Sequence, residues 1–401
     1  MDASFASVSR GVRARGARAR CRARRNEAEE MFRGAFDAFA AASLRAIGGV
    51  ASDVVGGAKG MPIGFPSGPR EDVALELAYD PLKFIERVSR AHGDASGLTL
   101  AGERVVLVSS PALARDVLLD KSDCFQKEGT AFFPGSSLAG NGLLVSDGET
   151  WARQRRLSNP AFRRAAVETY ARCMVEVGGR LVRDKWSKRG VRDVYADFND
   201  ATLEIVASAL FGTDVAGARA SKINGAIKDS FEFFGRRAAT GMVIPEWAPT
   251  FDNIRYNDAV KRLDEEVYAI IAKRRDAAAR GDDNGELDLL DRLLRATDDE
   301  DADGSGMSDQ ALRDELMTLM VAGQETSAIL LSWACALIAE RPDVGDNIAE
   351  EVRELLKSKG TGLDAGDFRH LPYTEACVLE TLRIRPPAYM VGRCASQDVE
   401  L

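Results

Sequence analysis

Closely spaced cysteines are missing from this sequence of 401 residues. Its six cysteines lie far apart, and none belongs to a C-x-x-C pair. This spacing argues against a zinc ribbon or a disulfide framework and is typical of a protein in a reducing compartment. The chain also lacks a run of 18 or more uncharged apolar residues near its N-terminus, which argues against a membrane-spanning anchor there.

Acidic residues are nearly absent from the first 25 positions, where eight arginines face a single acid, Asp2. These residues contribute +7 to a formal net charge of −8, so the rest of the chain is clearly acidic. A segment rich in Arg, Ala and Ser and poor in acids is typical of a chloroplast or mitochondrial transit peptide. The alternatives are a basic arm that contacts nucleic acid, disfavoured by its single aromatic residue, Phe5, and a cytoplasmic location without import.

The rest of the chain has the composition of a soluble globular protein, with 45% hydrophobic and 29% charged residues. We interpret residues 26–71 as an N-terminal lead-in that could touch a membrane surface, and 72–401 as one folded domain. In that domain, "ASGLTLAGERVVLVSS" alternates like two strands joined at Ala101–Gly102. Most other segments have helical periodicity, so the fold class is mainly α with a small β-sheet.

The predicted helix at about 309–340 has a polar notch in its middle, where the letters "GQET" interrupt an apolar stretch at 323–326. A glycine in a helix interior costs on the order of 1 kcal/mol, and an unpaired buried acid costs more. One interpretation is structural: a glycine for close helix packing and a threonine bonded back to the preceding turn. The interpretation we favour is a cavity that holds water or a ligand on this side. A membrane span is a further alternative, which Gln324 and Glu325 disfavour.

The letters "AGQETS" at 322–327 resemble the A-G-x-D/E-T motif in the long central helix of cytochromes P-450, the heme-thiolate monooxygenases. The resemblance implies that Thr326 orders water and protons for splitting dioxygen, with Glu325 as its acidic neighbour. It also implies that Ala322 and Gly323 form the groove over the heme.

Three further stretches match the family in the expected order. "ETLR" resembles its E-x-x-R helix, in which Glu380 and Arg383 would form a structural ion pair. "WARQR" resembles the W-x-x-x-R helix, in which Trp151 and Arg155 would hold a heme propionate. "PPAYMVGR" resembles the strand after the E-x-x-R helix, from which Arg393 would reach the other propionate.

The family position of the substrate wall falls on two segments. One is the Gly/Ser-rich loop at 125–148, with Phe132 and Phe133, for which plain core packing is the alternative. The other follows the E-x-x-R helix and contains Ala388, Tyr389 and Met390.

The axial ligand of this family is a cysteine in an F-x-x-G-x-R-x-C stretch after the E-x-x-R helix. None of the six cysteines stands in that setting, so no metal ligand is assigned, and the axial cysteine is expected beyond Leu401. The expected fold is therefore a cytochrome P-450 fold that is incomplete at its C-terminus.

The resemblance implies a monooxygenase with heme b as cofactor, dioxygen and a small apolar substrate as reactants, and electrons from NADPH through ferredoxin or a reductase. The motifs look most like the plastid carotenoid-ring hydroxylase branch, which suggests a carotene or another lipid. Arg153 and Arg156 could offer ferredoxin a basic patch. The alternatives are a heme-dependent rearranging enzyme of the allene oxide synthase type and a truncated, inactive chain.

Overall fold

A computed structural model of the chain describes residues 64–100, 102–128, 137–187, 190–212, 217–240, 246–282, 288–297, 306–360 and 362–401. The expected transit segment 1–25, the lead-in up to residue 63, and Phe132 and Phe133 lie outside the described residues. The described chain forms two compact units. The first comprises residues up to Leu118 with the end of one helix from Gly235, and the second comprises the remainder.

The first unit is built from short helices and a hairpin: α1 (Ala74–Tyr79), α2 (Pro81–His92), β1 (Ala95–Leu100), β2 (Glu103–Val108) and α3 (Pro111–Arg115). The strands pair antiparallel from Ala95 opposite Val108 to Leu100 opposite Glu103, which confirms the predicted hairpin. Gly102 has a φ of 84°, a left-handed conformation that glycine adopts without strain at the tight turn.

The second unit is mostly helical. Its elements are β3 (Phe125–Gln126), α4 (Gly148–Ser158), α5 (Arg164–Arg180), α6 (Val194–Phe211), α7 (Gly217–Thr240, shared with the first unit), α8 (Phe251–Ala279), α9 (Leu289–Arg295), α10 (Asp309–Glu340), α11 (Pro342–Lys359), α12 (Pro372–Ile384) and β4 (Cys394–Ala395). The mainly α fold class is therefore confirmed. The predicted helix at 309–340 has those bounds in the structure, with the Ser308 hydroxyl accepting from the Ala311 N–H at its start.

The core of the second unit lies where α8 and the first half of α10 meet. Tyr256, Leu263 and Ile270 of α8 are fully buried, as are Leu312 and Leu316 of α10. Burial of each such aliphatic side chain stabilises the fold by about 1.5–3 kcal/mol. This packing fixes the first half of α10 and thereby places the polar notch.

The strand predicted to contain Arg393 is shorter than expected. Strand β4 begins one residue later, at Cys394, and pairs only with Phe125–Gln126. After β3, the backbone N–H groups of Lys127 and Glu128 donate to the Asp147 carboxylate at 2.8 and 2.7 Å instead of to a strand. The assignment of Arg393 to a strand was therefore wrong.

Among the described residues, one helix, α10, is long and apolar enough to span a membrane by length and composition. Its first half carries Arg313, Asp314 and Glu315, all buried inside the second unit. Packing in a protein core thus accounts for the apolar residues of that half, whereas the 18-residue window that is apolar enough to span a membrane is only 11% buried.

Candidate active site

Helix α10 runs unbroken through the polar notch, and its residues there face different sides. Ala322 and Thr326 are four residues apart and both exposed, so they form one open stripe. Gly323 faces α6 instead, because a Cβ added to it would lie 3.0 Å from Cγ2 of Val206. Close packing against α6 therefore accounts for this glycine, and its part in a heme groove stays a prediction.

The Thr326 hydroxyl is committed to its own helix. Its Oγ1 donates to the carbonyl oxygen of Ala322 at 2.6 Å, the back-bond that threonine often makes in helix interiors. In this rotamer the hydroxyl keeps its lone pairs and can accept a hydrogen bond from water or a ligand on the open stripe. Donation to a ligand would require rotation about χ1.

Glu325 is held by two residues of α6. Its Oε1 accepts a short hydrogen bond from the Tyr195 hydroxyl, and its Oε2 accepts from Nδ2 of Asn199 at 3.0 Å. No lysine or arginine in the described part of the chain forms an ion pair with this carboxylate. Burial, together with the adjacent Glu325 carboxylate, raises the pKa of Tyr195, so its phenol stays protonated and remains a donor.

Gln324 completes the contact with α6. It is buried, and its Nε2 donates to Oδ1 of Asn199 at 2.7 Å. Asn199 therefore contacts both polar residues of the notch that turn away from the open stripe. Sequence reasoning missed Tyr195 and Asn199, since no local signal links residues of two helices that lie more than 100 positions apart.

A group of hydrogen-bond donors lies on and near α4. Trp151 is 41% exposed, and Arg155 is exposed one turn later on the same face. Lys127, which sequence reasoning missed, lies 5.6 Å from the centre of the Trp151 ring and donates to the Leu143 carbonyl at 2.8 Å. Burial lowers the pKa of Lys127, and the positive charge of nearby Arg393 lowers it further.

These four side chains, from Lys127, Trp151, Arg155 and Arg393, form the donor group. It offers an indole N–H, an ammonium and two guanidinium groups, which are the chemical groups that bind carboxylates. The structure places Lys127 near both Trp151 and Arg393, which are distant in sequence. Arg393 also donates to the Gly392 carbonyl at 2.7 Å.

Glu315 is a buried acid two turns before the notch that sequence reasoning also missed. Its side chain is fully buried, and among the described residues its carboxylate lies near the backbone N–H of Leu143 without a well-aligned hydrogen bond to it. Burial raises the pKa of Glu315 to about 7. The only sequence signal is a run of three charged residues, 313–315, inside an apolar helix.

Glu380 and Arg383 form the ion pair that the sequence predicted. Nε and Nη2 of Arg383 donate to the two carboxylate oxygens of Glu380, each at 2.7 Å, and the guanidinium lowers the pKa of Glu380. Both side chains are more than half exposed. The three residues expected in the substrate wall follow α12 without regular structure: Ala388 and Tyr389 are exposed, and Met390 is half-buried.

The family model for cytochrome P450 matches residues 73–401 of this chain. The chain therefore belongs to the cytochrome P450 family, and it is an oxidoreductase of the monooxygenase type with heme as the family's cofactor. The polar notch, the E-x-x-R pair and the W-x-x-x-R helix all lie inside the matched region.

Two curated relatives come from bacteria. The chain is 33% identical over 328 residues to cyclooctatin synthase of Streptomyces melanosporofaciens, covering 82% of this chain and 69% of that protein. It is 30% identical over 332 residues to pentalenene oxygenase of Streptomyces avermitilis, covering 82% and 70%.

Solved structures agree on the fold. The cytochrome P450DA heme domain superposes with a TM-score of 0.65 at 25% identity, over 80% of this chain and 69% of the other. The retinoic acid-bound cyanobacterial CYP120A1 superposes with a TM-score of 0.68 at 22% identity, over 84% and 74%. The expectation of a cytochrome P-450 fold is thus confirmed.

Proposed function

We propose that this protein oxygenates a hydrophobic hydrocarbon of the terpene or carotene class, with Ala322 and Thr326 on the reaction side of α10. The observation that carries the proposal is the open stripe formed by these two residues, next to an acid that α6 holds in place. The names of the relatives support the substrate class, since one is a pentalenene oxygenase and another a cyclooctat-9-en-7-ol 5-monooxygenase. A fatty acid is the rival substrate.

The described residues fit a heme on two sides. The donor group of Lys127, Trp151, Arg155 and Arg393 suits the propionates, and the stripe of Ala322 and Thr326 leaves backbone and hydroxyl open to a flat group. When bound, heme supplies the chemistry that activates dioxygen. None of the cysteines in the described segments is assigned as the axial ligand.

In this proposal the chain's own residues position the substrate and deliver protons, and none of them attacks the substrate. The Thr326 hydroxyl accepts a hydrogen bond from a water on the open stripe, and Glu325 supplies protons to that water from the neighbouring side of the helix. Ala388, Tyr389 and Met390 contact the apolar substrate, which excludes bulk water from the stripe.

The first experiment tests heme binding by the donor group. Purified protein would be titrated with hemin and the Soret band followed, comparing wild type with Arg155→Gln. Loss of one propionate partner should weaken heme affinity about tenfold, in line with roughly 1–2 kcal/mol for a charge-assisted hydrogen bond.

The matched control is Arg163→Gln, an exposed arginine just after α4 that lies outside the donor group. Equal affinity of wild type and both variants would contradict the assignment of Arg155. Absence of any Soret band in the wild-type protein would contradict the monooxygenase proposal and favour the inactive-chain alternative.

A second pair of assays separates the substrate class and the reaction type. A carotene or terpene hydrocarbon should shift the Soret band of the loaded protein, whereas a fatty acid of equal length should not. Turnover should need a reductant. Conversion of a lipid hydroperoxide without reductant would favour the rearranging enzyme of the allene oxide synthase type.

We further propose a plastid location, with ferredoxin as the electron donor bound near α4. The support is the arginine-rich N-terminal segment and the basic residues of this helix. Arg153 is half-buried and donates to the Gly306 carbonyl at 3.2 Å, so it is partly committed, while Arg156 is half-buried next to the exposed Arg155. Reversal of the charge at Arg153 and Arg156 should slow reduction by ferredoxin in a salt-dependent manner. An unchanged rate at low salt would contradict this site.

A further inference from the structure

The side chain of Glu325 is oriented by α6, the helix that packs against the notch. Its two carboxylate oxygens accept from different donors, the Tyr195 hydroxyl and the Asn199 amide. These two donors belong to the same turn of α6, and Asn199 also donates weakly to the Tyr195 hydroxyl at 3.4 Å. Both oxygens are thus occupied on the side of α10 that faces α6, next to the Thr326 stripe.

A second contact of Asn199, with Gln324, fixes the orientation of its side-chain amide. Oδ1 of Asn199 accepts from the buried Gln324 amide at 2.7 Å, which fixes the asparagine with its Nδ2 toward Glu325. Gln324 is only 2% exposed, so it cannot exchange this partner for bulk water without local opening. Asn199 is therefore held in the orientation in which it donates to the carboxylate.

No charged group takes part in orienting the Glu325 carboxylate, which leaves Tyr195 and Asn199 as its partners in the described segments. Within the described segments Glu325 has no cationic partner, and the other charged group that acts on Tyr195 is the acid Asp193. In the described segments, the hydrogen bonds from Tyr195 and Asn199 are therefore the contacts that orient this carboxylate.

We propose that Tyr195 and Asn199 are positioning residues for Glu325, which hold its carboxylate turned toward α6. Proton supply to the Thr326 stripe then requires this pair of hydrogen bonds to open. The catalytic consequence rests on the proposed function, in which Glu325 supplies protons. The positioning itself does not depend on bound heme.

The first test uses the heme-free protein. Urea unfolding at pH 7 is measured for wild type, Tyr195→Phe, Glu325→Ala and the double variant. The loss of stability caused by Tyr195→Phe should largely disappear in the Glu325→Ala background, because the contact is already absent there. An equal loss in both backgrounds would overturn the proposal.

Tyr268 gives a matched control for this comparison. Its hydroxyl donates to Oε1 of Gln310, in the first turn of α10, at 2.7 Å. The substitution Tyr268→Phe thus removes the same kind of tyrosine contact with the same helix, far from the notch. The loss of stability caused by Tyr268→Phe should be the same with and without Glu325→Ala.

The second test uses the heme-loaded protein with a ferredoxin and its NADPH-dependent reductase. The limb of the pH–turnover profile that disappears in Glu325→Gln belongs to this acid. That limb should move to higher pH by about one unit in Tyr195→Phe and in Asn199→Ala, because each loses one donor to the carboxylate. It should stay in place in Tyr268→Phe.

The two tests fail separately. If Tyr195 and Glu325 are coupled in the heme-free protein but neither the wild type nor any variant converts substrate, the proposed function is wrong and the positioning is supported. If turnover occurs and the limb does not move in either variant, the catalytic role of Tyr195 and Asn199 is overturned while the monooxygenase proposal stands.

Discussion

In the first half of α10, charged and apolar side chains alike are buried from Leu312 to Met320, apart from the half-buried Leu319, whereas from residue 321 onward only Gln324 and Ala328 are buried. This contrast is the opposite of what residue polarity would predict. Arg313 is 2% exposed and the acid Glu315 is fully buried, while Leu331 and Trp333 in the second half are about 40% exposed. Burial along this helix is therefore decided by what packs against it, not by the character of its residues.

The buried charges of the first half are mostly compensated by specific partners. Arg313 donates to Asp264 at 2.6 Å and to the Leu138 carbonyl at 2.9 Å, and the Asp314 carboxylate accepts from the Asn141 N–H at 2.9 Å. Such a network tolerates burial because its members are hydrogen-bonded. In the second half, Gln324 and Glu325 are hydrogen-bonded to α6, and the open stripe beside them is the part that we assign to chemistry. The comparison teaches that the part of this helix before the notch stabilises the core, and that the open stripe at the notch is the part available for function.

The largest effect should come from removing core volume in the first half. Leu316→Ala should lower the free energy of unfolding by about 2–5 kcal/mol, because the fully buried leucine leaves a cavity. Leu331→Ala, in the second half, should cost roughly 1 kcal/mol or less. Urea denaturation of both variants checks this. Similar losses at the two positions would break the contrast between the halves.

Next in size is a pH-dependent effect at Glu315. The native pKa of Glu315 is about 7 against an ordinary value of 4.5, so the folded state binds the proton more tightly than the unfolded state. Stability should therefore fall as pH rises from about 4.5 to 7, by up to about 3 kcal/mol. Glu315→Gln should remove this fall and stabilise the protein near pH 8, but not near pH 4.

Thermal or urea unfolding at a series of pH values measures the Glu315 effect. Glu340→Gln, at the exposed end of the same helix, is the control and should leave the pH dependence of the wild type unchanged. If the free energy of unfolding depends on pH in the same way for Glu315→Gln and the wild type, ionisation of Glu315 does not destabilise the folded protein.

A smaller effect is expected at the boundary between the halves. Gly323→Ala gains helix propensity of about 1 kcal/mol but places its Cβ 3.0 Å from Val206, so overpacking of about 1–3 kcal/mol should leave a net loss. The double variant with Val206→Ala should recover part of that loss. A double-mutant cycle in urea measures the coupling, and additive effects would contradict a packing role for Gly323.

The smallest effect on stability is expected from the E-x-x-R pair in its described surroundings. Both side chains of Glu380 and Arg383 are exposed, and exposed ion pairs contribute little. Arg383→Gln should leave the denaturation midpoint close to that of the wild type, below the change for Leu331→Ala. A loss as large as that of Leu316→Ala would show that the pair is buried in the protein as it exists in solution.

Local sequence patterns predicted much of the backbone. The bounds of α10 and the hairpin at Gly102 agree with the structure because periodicity, caps and turn glycines act over a few residues. Strand β4 is shorter than predicted, and helix α5 continues into a wider helical turn at Leu181–Trp186 that no sequence pattern indicated. Those ends depend on partners elsewhere, such as Asp147, which no local pattern contains.

The sequence by itself determined the helical fold, the family and the chemical character of the notch, because these follow from residue order and short-range periodicity. Only the tertiary structure decided that Glu325 faces Tyr195 and Asn199, that Gly323 packs on Val206, and that Lys127 joins Trp151. Each of these contacts joins elements far apart along the chain. Their geometry follows from how helices pack, and packing is set by the whole core rather than by any single segment.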